Sequence, residues 1–135
     1  MKLKFALILI CLISIQCGKF SRKHIYKIVY EGKGHKLTSV IPQITFEDHF
    51  DNDRIEFFQN QKKLIDKRIT TDDRVGVASE DELSINAINK VYFKINNDRL
   101  VTMDSINAYP YVYFSKDIES DTFWITYSFL RRMYQ

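Results

Sequence analysis

The sequence predicts an all-β fold, an antiparallel β-sandwich of seven to nine strands with at most one or two short helical turns. Three observations support this prediction. Segments rich in β-branched and aromatic residues recur at intervals of roughly ten residues, a spacing typical of sandwiches and barrels. Turn-forming residues separate these segments. Eight tyrosines, ten phenylalanines and one tryptophan make up 14% of the chain, and aromatic side chains favour strands.

The strands follow from composition, in chain order. The predicted segments are HIYKIVYE (24–31), LTSVI (37–41), QITFE (43–47), RIEFF (54–58), KKLIDKRIT (62–70), VYFKI (91–95), RLVTM (99–103), YPYVYF (109–114) and TFWITYSFL (122–130). Pro42 predicts an edge strand or a break between the second and third segments. The tripeptides Gln59-Asn60-Gln61 and Asn96-Asn97-Asp98 predict hairpin turns. Ser79 as an N-cap with Glu82 three residues later predicts one short helical turn over residues 79–83.

The first twenty residues, MKLKFALILICLISIQCGKF, form a segment of a different kind. Lys2 and Lys4 precede an uncharged apolar run from Phe5 to Ile15. A helix of this length reaches about 16 Å, roughly half of the ~30 Å hydrocarbon core of a bilayer. A basic start followed by a short apolar run therefore predicts a secretory signal rather than a membrane span.

The end of this run, Ser14-Ile15-Gln16-Cys17-Gly18, resembles the end of a bacterial lipoprotein signal. Ser14 and Gln16 stand where that class favours leucine and a small residue. The resemblance implies that residues 1–16 are removed and that Cys17 is acylated and becomes the N-terminus. Plain secretion and an uncleaved anchor are the alternatives. It further implies that acyl chains bind the membrane, and Gly18 after the cysteine implies outer-membrane sorting. Residues 17–23 then form a lipidated basic tether, and residues 24–135 form a single β-sandwich domain.

The charge of the exported part argues against one class of partner. Two of the 20 basic residues, Lys2 and Lys4, leave with the signal, so 18 remain against 17 acidic residues. A near-neutral exported domain is not typical of nucleic-acid binding, which needs an excess of cations. Both cysteines lie in the leader, so the exported domain has no disulfide and depends on burial of its core.

Catalytic and metal motifs are missing from the exported sequence. It contains no glycine-rich phosphate loop, no G-x-S-x-G serine and no cysteine nucleophile. His24, His35 and His49 lack the spacing that would place two imidazoles on one metal. The sequence therefore predicts a protein that is not an enzyme and that carries no cofactor.

Aromatic alternation gives the main candidate site. In YPYVYF, Tyr109, Tyr111 and Tyr113 fall on one face of a strand. We expect Val112, Phe114, Phe123, Ile125 and Phe129 in the core. The tyrosine stripe would then lie outside near Trp124, where it would suit sugar stacking or a protein partner. The alternative is that these tyrosines only pair across a solvent-facing sheet.

The acidic segment EDHFDNDRIE (47–56) gives a second candidate. Its oxygen ligands Asp48, Asp51, Asp53 and Glu56 are of the type that binds calcium. However, the glycine and glutamate spacing of an EF-hand loop is missing. A solvated loop between two strands is the alternative explanation.

Together these features give three functional expectations. The first is a membrane-tethered envelope protein that acts as a non-catalytic binding module for a protein or a glycan. The second is a small envelope inhibitor or immunity-type protein that engages a basic enzyme through the acidic segment 47–56. The third is a structural envelope component without a discrete site.

Overall fold

The computed structural model describes residues 23–35 and 41–134, and nearly all their regular structure is β. The strands are β1 (Ile25–Glu31), β2 (Gln43–Phe46), β3 (Asp53–Gln59), β4 (Lys62–Ile69), β5 (Ser79–Glu82), β6 (Val91–Ile95), β7 (Val101–Thr102), β8 (Tyr111–Asp117) and β9 (Thr122–Ser128). A 3₁₀ turn at Ile106–Ala108 is the only helical element in these ranges. The predicted all-β sandwich is confirmed.

Two sheets form the sandwich. The five-stranded sheet has the order β1-β9-β8-β2-β5, and the four-stranded sheet has the order β4-β3-β6-β7. Neighbours joined by short turns are antiparallel, as expected. Two pairings, β1 with β9 and β2 with β8, are parallel. Each joins strands that are far apart in the chain, where no hairpin dictates the direction.

The hairpin turns were predicted correctly from their asparagines. In the β3–β4 hairpin, Asn60 and Gln61 have φ of 50° and 64°, and in the turn after β6, Asn96 and Asn97 have φ of 50° and 60°. Tight hairpins need positive φ at both central residues because this twist matches the twist of the strands. Asparagine tolerates this conformation better than most residues do.

The core lies between the sheets and is dominated by aromatic rings. The ring of Phe114 lies 4.9 Å from that of Phe46 and 5.1 Å from that of Phe93, measured between centroids. Four of the five predicted core residues, Val112, Phe114, Phe123 and Ile125, are fully buried, and Phe129 is partly buried against the same cluster. Each such side chain contributes about 1.5–3 kcal/mol through burial.

The helical turn predicted over residues 79–83 is wrong, because Ser79–Glu82 is strand β5. It pairs antiparallel with β2 and so obtains its backbone hydrogen bonds from a neighbour. The Ser79 hydroxyl donates to Asp81 at 2.7 Å instead of capping a helix. Tertiary pairing therefore outweighed a local capping pattern, as is common for short segments.

The expectations about export concern residues outside the described ranges. Segment 1–16, Cys17 and most of the tether 17–23 lie there, as do residues 37–40 of the predicted strand 37–41. Across residues 23–35 and 41–134, no helix has the length and apolar character needed to cross a membrane.

Candidate ligand-binding face

Three of the four predicted aromatic residues lie on the outer face of the five-stranded sheet. Tyr113 pairs with Thr126, and Trp124 pairs with Ser115 across the β8–β9 hairpin. Val112 and Phe114 point to the opposite, inner face and are buried. Strand alternation therefore predicted the correct face for Tyr111, Tyr113 and Trp124.

Tyr109 does not belong to this face, and its predicted exposure is wrong. Pro110 separates it from β8, and its side chain is buried in the core cluster. The Tyr109 ring lies 4.9 Å from that of Phe129, and its hydroxyl donates to the carbonyl oxygen of Gly32 at 2.9 Å. The prediction assumed that strand alternation continues back to Tyr109. Because β8 begins only after Pro110, alternation does not set the direction of the Tyr109 side chain.

Tyr113 is on the predicted face but is not exposed, because the C-terminal segment (residues 129–134) covers it. Only 2% of Tyr113 is accessible. Its hydroxyl donates to the Leu130 carbonyl at 2.8 Å and accepts from the Arg132 backbone N–H at 2.8 Å. The Arg132 guanidinium lies 4.3 Å above the Tyr113 ring. Burial raises the pKa of Tyr113.

Glu47 attaches this C-terminal segment to the sheet. Its carboxylate accepts from Arg132 Nη1 at 2.7 and 2.8 Å and from the Tyr134 hydroxyl at 2.6 Å. Arg132 also bonds Glu31 at 3.1 Å. Burial, together with the hydrogen bond to Glu47, raises the pKa of Tyr134. This attachment was not predictable from the sequence, since Glu47 and Arg132 are 85 positions apart.

Trp124 remains the accessible aromatic residue of the candidate set, with 37% of its surface exposed. Lys27 Nζ from β1 lies 4.7 Å from the centroid of its ring. Tyr111 is half-buried and stacks on Tyr113 with a centroid distance of 6.4 Å. The parallel register that places Lys27 beside Trp124 was not predictable from either segment alone.

A cleft adjoins Trp124 at the end of the sandwich where the β2–β3 loop meets the β8–β9 turn. This Trp124 cleft has a volume of about 420 Å³. Its lining residues are Asp48, His49, Ser115, Lys116, Asp117, Ile118, Glu119 and Trp124. A second hollow of about 470 Å³ shares His49, Lys116 and Ile118 with it. The two hollows are therefore neighbours, separated by these shared residues.

Several internal contacts fix the polar walls of the Trp124 cleft. Asp117 accepts from the Ser120 hydroxyl at 2.6 Å and from the Glu119 N–H at 3.0 Å, and these bonds lower its pKa. Lys116 Nζ binds the Asp53 carboxylate at 3.0 and 3.1 Å. His49 has φ of 69°, a left-handed conformation at the rim of the loop. Carboxylate, hydroxyl, imidazole and ammonium groups thus line the same cleft as the partly exposed indole.

The structure does not bring the four predicted calcium ligands together. Asp53 and Glu56 are three residues apart on β3, so alternation sends them to opposite faces. Asp53 pairs with Lys116, and Glu56 pairs with Lys63 and Lys94 on the other side. Within the described ranges, no three or more His, Cys, Asp or Glu side chains gather as metal ligands. Asp48 and Asp51 are exposed.

An ion-pair network that the sequence analysis missed covers the outer face of the four-stranded sheet. Glu56 is at its centre, with Lys63 at 2.8 Å, Lys94 at 3.2 Å and Arg54 at 3.4 Å. Burial would raise the pKa of Glu56, but its close contacts with Lys63, Lys94 and Arg54 outweigh burial and lower it. Asp66 extends the network by pairing with Arg54 at 2.9 Å and Lys63 at 2.7 Å. The sequence signal for this network was the presence of both acidic and basic residues in the segments that form β3, β4 and β6.

Comparison of the chain with protein-family models, with curated proteins and with solved structures gave no significant match. Functional inference therefore depends on the chemistry of the candidate face.

Proposed function

We propose that this protein is a membrane-tethered, non-catalytic binding module of the cell envelope, and that it binds a glycan at Trp124 and the adjoining cleft. One observation carries the proposal. The single tryptophan of the chain lies on the outer face of a rigid sheet, partly exposed, at the wall of a cleft lined by hydrogen-bonding side chains.

The arrangement suits a sugar because a sugar ring has both apolar and polar surfaces. Its C–H face packs on an indole, and its hydroxyls need hydrogen-bond partners around the rim. Ser115, Asp117, Glu119 and His49 supply such partners beside Trp124. The β8–β9 hairpin positions Trp124 and Ser115 directly opposite each other, so an aromatic and a polar group are held side by side on paired strands.

Anchoring would keep this face close to its ligand. If Cys17 carries acyl chains, residues 17–23 form a tether that spans at most about 25 Å when extended. Two or more acyl chains hold a protein on a membrane far more firmly than one does. A glycan of the envelope, exposed near the bilayer, would then be within reach of the Trp124 cleft.

The structure favours this proposal over the inhibitor-type alternative. Docking on a basic enzyme through segment 47–56 would need free carboxylates there. Three of its acids are already paired with cations of the same chain: Glu47 with Arg132, Asp53 with Lys116, and Glu56 with Lys63 and Lys94. The exposed pair Asp48 and Asp51 supplies much less charge than the sequence pattern indicated.

Intrinsic fluorescence tests the glycan proposal directly, because all tryptophan emission comes from Trp124. The full chain in detergent should show a saturable change in emission with soluble peptidoglycan fragments or with N-acetylglucosamine oligomers. Trp124→Ala should abolish binding measured by calorimetry. Phe58→Ala is the matched control: Phe58 is also half-buried on an outer sheet face beside lysines, at 5.7 and 5.8 Å, and its loss should leave binding unchanged.

Two results would argue against the glycan assignment. Absence of any change in emission with these probes would remove it, and equal loss of binding in the Phe58→Ala control would show that the effect is not local to Trp124. The anchor is tested separately by intact mass of the native product. We expect a chain that begins at an acylated Cys17 and that stays in the membrane fraction, whereas Cys17→Ala should leave residues 1–16 attached.

A further inference from the structure

In the part of the chain that the structure describes, strand β1 is an edge of the five-stranded sheet. Within residues 23–35 and 41–134 it pairs only with β9. Three apolar side chains of this strand are about half exposed: Ile25 at 51%, Ile28 at 47% and Tyr30 at 52%. An apolar edge strand with free backbone groups is a template for pairing with another strand.

The remaining sheet edges do not share this character. At the other end of the same sheet, β5 is four residues long and has the sequence Ser-Glu-Asp-Glu. The edges of the second sheet are β4, which contains Lys62, Lys63, Lys67 and Arg68, and β7, which is two residues long. Charged or very short edges resist strand addition. The open apolar edge is therefore specific to β1.

The direction of the backbone groups of β1 follows from its pairing with β9. The Ile25 N–H donates to the Asp121 carbonyl at 3.3 Å, so Ile25 directs its polar backbone groups toward β9. In a parallel pair these directions alternate along the strand. Lys27, Val29 and Glu31 therefore also face β9, and the N–H and C=O groups of Tyr26, Ile28 and Tyr30 point away from the sheet.

We propose that two copies of this chain pair through β1, antiparallel about a twofold axis at Val29, so that their five-stranded sheets become one continuous sheet. Antiparallel pairing requires that outward-pointing residues stand opposite each other. With the axis at Val29, Ile28 stands opposite the Tyr30 of the second copy, and these residues exchange both of their backbone hydrogen bonds.

Charge selects this register among the alternatives that the backbone allows. An axis at Lys27 would place two lysines opposite each other. An axis at Ile28 would place Lys27 opposite Val29 and leave Glu31 opposite Ile25. An axis at Val29 places Lys27 opposite Glu31 on both sides of the axis. Glu31 already bonds Arg132 at 3.1 Å, so Lys27 would be a second cation at that carboxylate, and opposite-charge pairs directly across strands are stabilising. The β1 sequence is thus complementary to itself in this register alone, which identifies a second copy as the occupant.

The apolar side chains agree with the same register. Tyr26, Ile28 and Tyr30 lie on the inner side of the sheet, since Tyr30 stacks on the buried Tyr127 at 5.4 Å. Across the axis, Ile28 would pack on the second Tyr30 and cover surface that is exposed in one copy. A twofold axis perpendicular to the sheet would also place both Trp124 clefts on the same face.

Charge reversal tests the pairing in the full chain in detergent, with association followed by sedimentation equilibrium. Lys27→Glu and Glu31→Lys should each weaken the dimer roughly tenfold, because each creates two like-charge pairs. The double variant Lys27→Glu/Glu31→Lys should recover most of the association. A wild-type chain that stays monomeric at all concentrations, or a double variant that is weaker than both single variants, would overturn the proposal.

Cysteine crosslinking tests the register independently. Val29→Cys places two new thiols across the axis in a non-hydrogen-bonded pair, close enough for a disulfide. Ile28→Cys is the matched control, because its thiol would face Tyr30 instead of a second thiol. The parent chain, with Cys11 and Cys17, gives the background. Crosslinking of Val29→Cys above background with none for Ile28→Cys is expected, and the reverse result would refute this register.

Discussion

The two outer faces of the sandwich differ in how their side chains are stabilised. On the four-stranded sheet, Glu56 and Asp66 are surrounded by Arg54, Lys63 and Lys94, so charges of one face neutralise one another. On the five-stranded sheet, the C-terminal segment covers one half of the face through Tyr113, Glu47 and Arg132. The other half, around Trp124, has no comparable cover among the described residues.

The difference indicates which side chains already serve the fold and which are available to a ligand. A face whose polar groups already have partners gains little from an external molecule, because each new bond must replace an existing one. The exposed indole beside a polar cleft has both apolar and hydrogen-bonding capacity to offer. The comparison therefore predicts a large effect on stability at the covered Tyr113 and a smaller effect for Trp124.

The largest effect is expected at Tyr113. Tyr113→Ser should lower the free energy of unfolding by about 3 kcal/mol, because it removes a buried ring together with its hydrogen bonds to the C-terminal segment. Trp124→Ser, on the same sheet face, should cost less, about 1 to 2 kcal/mol, since its ring is partly exposed. Denaturant unfolding of both variants provides the measurement, and equal losses would contradict the division of this face into two halves.

The next effect is expected at Glu56. Glu56→Ala should destabilise the protein by about 2 kcal/mol, since it leaves three cations close together without their buried partner. The expected loss of stability is smaller than for breaking a fully buried ion pair, because the cations around Glu56 are partly exposed. Asp66→Asn is the control and should cost less than Glu56→Ala, because that carboxylate is more accessible. Chemical denaturation should rank the two in this order.

A smaller effect is expected at the C-terminal segment. Arg132→Ala removes the bonds to Glu47 and Glu31 and should cost about 1 kcal/mol. Its neighbour Arg131 is exposed, and Arg131→Ala should be nearly neutral. Easier proteolysis of the C-terminus in Arg132→Ala, but not in Arg131→Ala, would show that the segment has detached.

The smallest effect concerns pH. The pKa of Glu56 is lowered in the folded protein, so its contribution is fully present above the ordinary glutamate pKa, about 4.3. That contribution is lost as the pH falls through the lowered, folded value. Wild-type stability should therefore decline more steeply than that of Glu56→Gln below about pH 4. Parallel pH profiles for the two proteins would show that the Glu56 network contributes nothing.

Strand positions and hairpins were predictable because they depend on neighbours in the chain. VYFKI became β6 with Val91, Phe93 and Ile95 buried, as period-two alternation requires. Asn96 and Asn97 formed the expected turn. The prediction was wrong where a distant segment intervened: β2 turned residues 79–82 into a strand, and residues 130–132 buried Tyr113.

The candidate site shows the same division. Sequence alternation placed Tyr111, Tyr113 and Trp124 on one outer face, but it could not tell which of them would stay accessible. It also could not place His49, Lys116 and Glu119 beside Trp124, since these residues come from different loops and strands. The charge pattern of segment 47–56 suggested a free acidic surface, and most of that charge is neutralised by cations elsewhere in the chain.

The sequence by itself determined the all-β class, the hairpin turns, and most of the strand segments and strand faces within the described residues; β5 and Tyr109 were the exceptions. These features follow from backbone preferences and from side-chain alternation, which act between residues close in the chain. Only the tertiary structure decided the parallel pairings, the cover over Tyr113 and the exposure of Trp124. Each of these depends on contacts between segments far apart in sequence, whose free energy arises only when the sheets and the C-terminal segment have come together.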